Sequence, residues 1–211
     1  MQSETMVRVI GIGAQLKYVI DYLNYCQYSE NLITIYDPVG EQVGNKIGAF
    51  IIREFQNREI QKNDSVILCL RDNELKREII QSLDSKNVNF LTISHPDSSI
   101  SNLSEIGRGC IINRGVLVEA FSKIGDFSIV HAGCVIEHDC QIGRFCNLGP
   151  GVIMAGHSKI GDNVQLNSGV ILVPSVRIGE GSIVGAGSLV LHDLPERVIA
   201  YGSPASVQRD I

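Results

Sequence analysis

The stretch Ile136-Glu-His-Asp-Cys-Gln-Ile142-Gly-Arg-Phe-Cys-Asn-Leu148-Gly-Pro-Gly-Val-Ile-Met154 places an aliphatic side chain, or methionine, at every sixth position. Reading outward extends the series without a break: Ile100, Ile106, Ile112, Val118, Ile124 and Val130 before it, Ile160, Leu166, Leu172, Ile178, Val184 and Val190 after it. Two residues ahead of most of these stands something small or β-branched, such as Cys110, Val116, Ser122, Ser128, Cys134, Cys140, Cys146 and Val152. Residues two apart on a strand point to one side, so each unit sends one large and one small side chain inward. Glycine often follows the aliphatic residue, where a chain bends or approaches a neighbour closely. A hexapeptide period of this kind predicts a β-helix solenoid. Six residues make a strand and a corner, and three faces close a triangular coil of eighteen. The repeats then give about five coils, a prism roughly 20–25 Å tall at ~4.8 Å per stacked strand. Its interior reads as a ladder of isoleucine and valine and its outside as polar.

Composition narrows the function. The net charge is −5 and no basic run interrupts the 211 residues, which argues against a nucleic-acid surface. No stretch approaches the ~20 apolar residues of a membrane span, and the opening MQSETMVRVIGIG carries no signal-peptide pattern. Four of the six cysteines occupy the small inward slot, where they read as buried thiols acting as small hydrophobes. A reducing cytoplasm fits that usage.

The first ninety-odd residues follow another pattern. Val7-Arg-Val-Ile-Gly-Ile-Gly-Ala14 reads as a strand entering a glycine turn. Gln15 to Tyr28 has helical spacing, with Leu16, Val19, Ile20 and Leu23 on one face. Leu32–Asp37 and Ser65–Leu70 read as strands, Asp72 as the N-cap of a helix through Leu83, and Asn89–Ile93 as a fourth strand. The alternation describes a small Rossmann-like α/β unit over residues 1–97, with the break at Ser94-His-Pro-Asp97 and the β-helix over residues 98–211. Gly11 and Gly13 suit a turn whose backbone N–H groups approach a phosphate at a helix N-terminus, or a purely structural turn. Asp37, at a strand tip, stands where an acid grips a ribose or base edge.

The order of a Rossmann-like unit, a His-Pro link and hexapeptide coils resembles the bacterial sugar O-/N-acyltransferases of surface-glycan pathways. These include sialic acid O-acetyltransferases and the N-acetyltransferases of nucleotide-linked 4-amino-sugars. Val135-Ile-Glu-His-Asp-Cys-Gln-Ile-Gly143, Ser94-His-Pro96 and Gly202-Ser-Pro-Ala205 carry the resemblance. It implies a left-handed coil, contrary to the usual right-handed crossover, a homotrimer, and acetyl-CoA lying in the groove between adjacent prisms. It gives His138 as general base and Asp139 as the group that orients it. It gives Gly156, one coil above His138, a backbone N–H for the thioester carbonyl. It sets His131 near the acceptor sugar and Pro204 and Ala205 in a segment closing over the CoA adenine. Nucleotide binding falls to Gly11, Gly13 and Asp37.

Two departures from that family stand out. Where many members carry a second histidine, this chain has Asn147, which can donate to an acetyl carbonyl but cannot shuttle a proton. The nucleotide loop reads Gly11-Ile-Gly-Ala-Gln-Leu-Lys17 in place of Gly-x-Gly-Gly-His-Gly-Lys. His157 and His192 read as solvated exterior residues. His131, His138 and His157, separated by 7 and 19 residues, are not a whole number of coils apart, so no metal site is expected. The expected activity is acetyl-CoA-dependent acetylation of the amine of a nucleotide-linked 4-amino-sugar. Sugar O-acetylation comes next, and a non-catalytic trimeric scaffold is the reading from another class.

Overall fold

The computed structural model describes residues 6–211; residues 1–5, which open the stretch read for a signal peptide, lie outside the described residues. The chain forms two compact units, the first ending at Leu91 and the second running Thr92–Ile211.

In the first unit, β1 (Val7–Ile10) is the central strand, with Val9 and Ile10 fully buried. It runs parallel to β2 (Ile33–Asp37) and, on its other side, to β6 (Ser65–Leu68). Between β2 and β6 come a small hairpin of β3 (Lys46–Ile47) and β4 (Phe50–Ile51), and an edge strand β5 (Arg53–Glu54). With β7 (Asn89–Phe90) the sheet order is β5-β2-β1-β6-β7, so the order reverses beside β1, the crevice position of doubly wound folds. Helix α1 (Ala14–Tyr25) buries Leu16, Val19 and Leu23, three of the four residues expected on its inner face. Helix α2 (Asn73–Leu83) starts where expected, because the Asp72 carboxylate accepts from the N–H groups of Glu74 and Leu75. The strand expected to end at Ile93 ends at Phe90.

The second unit is the β-helix. Among the described residues every element after Thr92 is a strand. Up to Val190 the strands pair in parallel eighteen residues apart, Ile106 with Ile124, Val118 with Ile136, Val130 with Leu148, and the last step, from Val184 to Ala200, is sixteen. The coil is therefore eighteen residues, and three sheets form its faces. The first face runs from Ile93–Ser94 up to Ala200, taking in residues that the sequence placed at the break. The second carries Val135–Ile136 and Ile153–Met154, and the third Lys123–Ile124 and Gln141–Ile142. The whole hexapeptide series from Ile112 to Val190 is buried. At the upper end an antiparallel pair, Val198–Gly202 with Ala205–Asp210, closes the prism, and Val198 and Ala200 join the core.

The small inward slot does more than fill space. The Ser122 and Ser128 hydroxyls donate to the carbonyls of Glu137 and Gly143, fifteen residues on. The Cys134 and Cys146 thiols donate in the same way to Gly149 and Gly161. These groups tie one coil's interior to the next coil's corner.

One expectation needs correction. The outside is polar on the third face, whose outward residues are Glu105, Lys123, Gln141, Lys159 and Arg177. On the second face they are Leu117, Val135, Ile153, Ile171 and Leu189. Ile153 and Ile171 are 37% and 40% exposed, so an aliphatic column faces outward along one side.

All six cysteines are free, and only Cys26 is exposed. Burial pushes the Cys134 and Cys140 thiols up to about 11 and the Cys146 thiol up to about 12. A thiol attacks as its thiolate, and raised values leave almost none near pH 8. Titration of the folded protein with a thiol reagent at that pH is therefore expected to modify Cys26 alone, the other five reacting only after denaturation.

Candidate active site

The strand Val135–Ile136 ends at a corner made by Glu137, His138 and Asp139. Asp139 turns it in the left-handed region, φ 59°, a conformation that Asp and His tolerate better than most residues. One coil on, His157 makes the same turn with φ 63°. Backbone bonds lock both turns to the coil below: Asp139 N–H donates to Ala120 O and His157 N–H to His138 O, each at 3.1 Å. His157 therefore stacks on Asp139, eighteen residues away, and its ring comes edge-on to that of His138 with centroids 5.1 Å apart.

The Asp139 carboxylate serves both imidazoles. Its Oδ2 lies 2.9 Å from His138 Nδ1 and 3.9 Å from His157 Nδ1. With Nδ1–H donating to the carboxylate, His138 keeps its lone pair on Nε2. That nitrogen lies over Gly156: a Cβ there would come within 2.8 Å of His138 Nε2. Glycine is the residue that leaves room for the ring. All three side chains are roughly half exposed, so the group lies at the surface.

The Gly156 N–H is already engaged. It donates to Glu137 Oε2 at 2.8 Å. The oxyanion role expected of this N–H thus requires the Glu137 carboxylate to leave it, because a carboxylate is the stronger acceptor. Glu137 entered the sequence reading only as part of the motif.

His157 is exposed, as expected of a solvated exterior residue, and it also packs edge-on against His138. The steps of 7 and 19 concern the histidines alone, whereas Asp139 and His157 stand a whole coil of eighteen apart. One candidate ligand atom from each of His138, Asp139 and His157 lies within 4.8 Å of the others.

The remaining expected residues lie elsewhere. His131 follows Ile129–Val130 and Asn147 lies in Asn147–Leu148, both on the first face, while His138 ends a strand of the second. One chain does not bring them to His138. The Asn147 Oδ1 is buried with no hydrogen-bond partner. Pro204 and Ala205 stand at the tight turn of the closing hairpin.

In the first unit the role expected of Asp37 fails. Its side chain is fully buried, and its two oxygens accept from the N–H groups of Val39 and Gln42, at 2.9 and 2.8 Å. It folds its own loop instead of gripping a ligand. Gly11 has a fold reason too: its φ is +113° and a Cβ would come within 2.7 Å of Cys69 O. Gly13 is the N-cap of α1, whose first turn has no side-chain cap and no acidic residue.

Residues 121–156 and 157–192 match the family model described as bacterial transferase hexapeptide (six repeats). The chain is 30% identical to PerB from Caulobacter crescentus, solved with CoA and GDP-perosamine, over 97% of each chain with TM-score 0.85. A variant of the GDP-perosamine N-acetyltransferase from that organism, with one histidine replaced by alanine, is 28% identical over 97% of each chain, TM-score 0.85. The acetyltransferase domain of PglB from Neisseria gonorrhoeae, solved with acetyl coenzyme A, is 22% identical over 96% of this chain and 98% of that one, TM-score 0.87; it shares the fold. No curated protein sequence matches the chain. The chain belongs to the sugar acyltransferases of the hexapeptide-repeat, left-handed β-helix superfamily.

Gly156→Ala tests the corner directly. The backbone there accommodates alanine, and the half-exposed His138 ring can rotate away, so the melting temperature is expected to stay within a few degrees. Displacing the ring by about 1 Å is expected to lower acyl transfer on the order of 100-fold. Steady-state kinetics beside a thermal melt check both halves.

Proposed function

We propose that the protein transfers the acetyl group of acetyl-CoA to the amine of a nucleotide-linked 4-amino-sugar, with His138 as the general base. The observation that carries this reading is the orientation of His138: Nδ1 tied to Asp139, Nε2 left over the bare surface of Gly156. The similarity to PerB, solved with CoA and GDP-perosamine, supports the same two substrates. The amine nitrogen attacks the thioester carbon, the C–S bond breaks and an amide forms. The amine's proton passes to His138 Nε2, and CoA leaves as the thiol once its sulfur is protonated. One base suffices for this reaction, which suits Asn147 in place of a second histidine. Glu137 moves off the Gly156 N–H so that it can receive the developing oxyanion.

In this reading the first unit holds the nucleotide carrier. The open N-terminus of α1, reached through Gly11 and Gly13 at the point where the strand order reverses, offers unpaired N–H groups to a diphosphate. Asp37 keeps only its loop-forming part. Pro204 and Ala205 lie against the CoA adenine. The reaction belongs to the cytoplasm, in keeping with six free cysteines. Among the described residues no helix is long and apolar enough to cross a membrane.

The working form is a homotrimer. The aliphatic outward column on the second face gives each prism a surface to cover. His131 and Asn147 on one face and His138 at another corner complete a single site only across two chains. Sedimentation of the wild type is expected to give a trimer, and Ile153→Glu combined with Ile171→Glu to give an inactive monomer. A stable, active wild-type monomer would sink the shared site.

The central test is thiol release from acetyl-CoA with UDP-, dTDP- and GDP-linked 4-amino-sugars and a sialic acid. Release with one amino-sugar is expected, falling on the order of 100-fold or more in His138→Ala with melting little changed. Activity on the sialic acid alone would turn the assignment to O-acetylation.

A further inference from the structure

We propose that His138, Asp139 and His157 form a binding site for a divalent transition cation of the zinc class, and that its occupancy switches the transferase off. The cation site stands on geometry alone; the switching rests on His138 being the base.

Two imidazoles and a carboxylate are a set that zinc, cobalt and nickel accept, and three protein ligands leave positions open for water. The three are not an accident of floppy surface side chains. Asp139 and His157 occupy equivalent left-handed corners of consecutive coils, each pinned by a backbone bond to the coil below. Both Nδ1 atoms already turn toward one oxygen, Asp139 Oδ2, at 2.9 and 3.9 Å. One ligand atom from each residue already lies within 4.8 Å of the other two, so small rotations of half-exposed side chains suffice to close them around a common centre.

The consequence for catalysis follows from the tautomer. Without a cation, Nδ1–H of His138 donates to Asp139 and the lone pair sits on Nε2, over Gly156. A cation taking the Nδ1 lone pair leaves the proton of the neutral ring on Nε2. That nitrogen then has nothing with which to accept a proton from the attacking amine. Coordination also removes the Asp139 carboxylate from its hydrogen bond. The ring need not move for the base to be lost.

The test uses cobalt(II) on the whole chain, without CoA, whose thiol binds such cations. Saturable visible absorption of a low-coordinate cobalt ion is expected at one equivalent per chain, displaced by zinc. It should weaken about tenfold or more in His157→Asn and in Asp139→Asn, both of which put a residue tolerant of φ > 0 at the corner. In parallel, zinc is titrated against turnover, followed by the acetylated product and not by thiol release. Inhibition is expected in the wild type, and in His157→Asn at zinc concentrations raised by the same factor, each relative to its own uninhibited rate. Absence of a saturable cobalt spectrum, or one unchanged in both variants, would overturn the site. A spectrum lost in the variants, with turnover indifferent to zinc, would support the cation site and overturn the role given to His138.

Discussion

The structure depends on one register. Each backbone N–H along the faces of the prism is donated to a carbonyl one coil away, as from Val135 to Val152 and from Gln141 to Ser158. A slip of one residue would turn every inward isoleucine to solvent, so the hydrophobic series and the hydrogen-bond ladder enforce each other. The serine and cysteine slots add a third tie between coils from inside. With eighteen residues held as a fixed step, any two positions that far apart are stacked. Chemistry at a corner is then set by addition.

That arithmetic explains what was legible. The period, the coil length and the stacking of Gly156 on His138 follow from counting in sixes and eighteens. Asp72 as a cap and three buried residues on the inner face of α1 follow from local rules. The partner of Asp139 was readable by the same count, yet nothing about the residue types says which corner position to count from. His157 became a neighbour only when both residues proved to occupy the same left-handed turn.

Other features lie beyond counting. Whether Asp37 faces a ligand or its own loop depends on the path of residues 38 to 42, which carries no periodic signal. Glu137 reaching the Gly156 N–H is a matter of rotamer. The aliphatic outward column repeats every third hexapeptide, as Leu117, Val135, Ile153, Ile171 and Leu189. It is hidden among the polar residues of the third face and the mixed ones of the first, Ile111, Ile129, Asn147, Gln165 and Ile183, and emerges once the sequence is folded into a triangle.

Because a solenoid's coils touch only their neighbours, the residues that meet at this corner come from two consecutive turns of one chain: Glu137, His138 and Asp139 below, Gly156 and His157 above. Length change in such a molecule is quantised. Inserting or removing a whole turn above His157 would move the closing hairpin along the axis while leaving the corner's chemistry intact. An insertion of any other length would rotate everything beyond it onto a different face. The distance between the histidine corner and the hairpin at Pro204 is therefore a ruler marked in single coils, and the length of ligand that can reach from one to the other is chosen in those units.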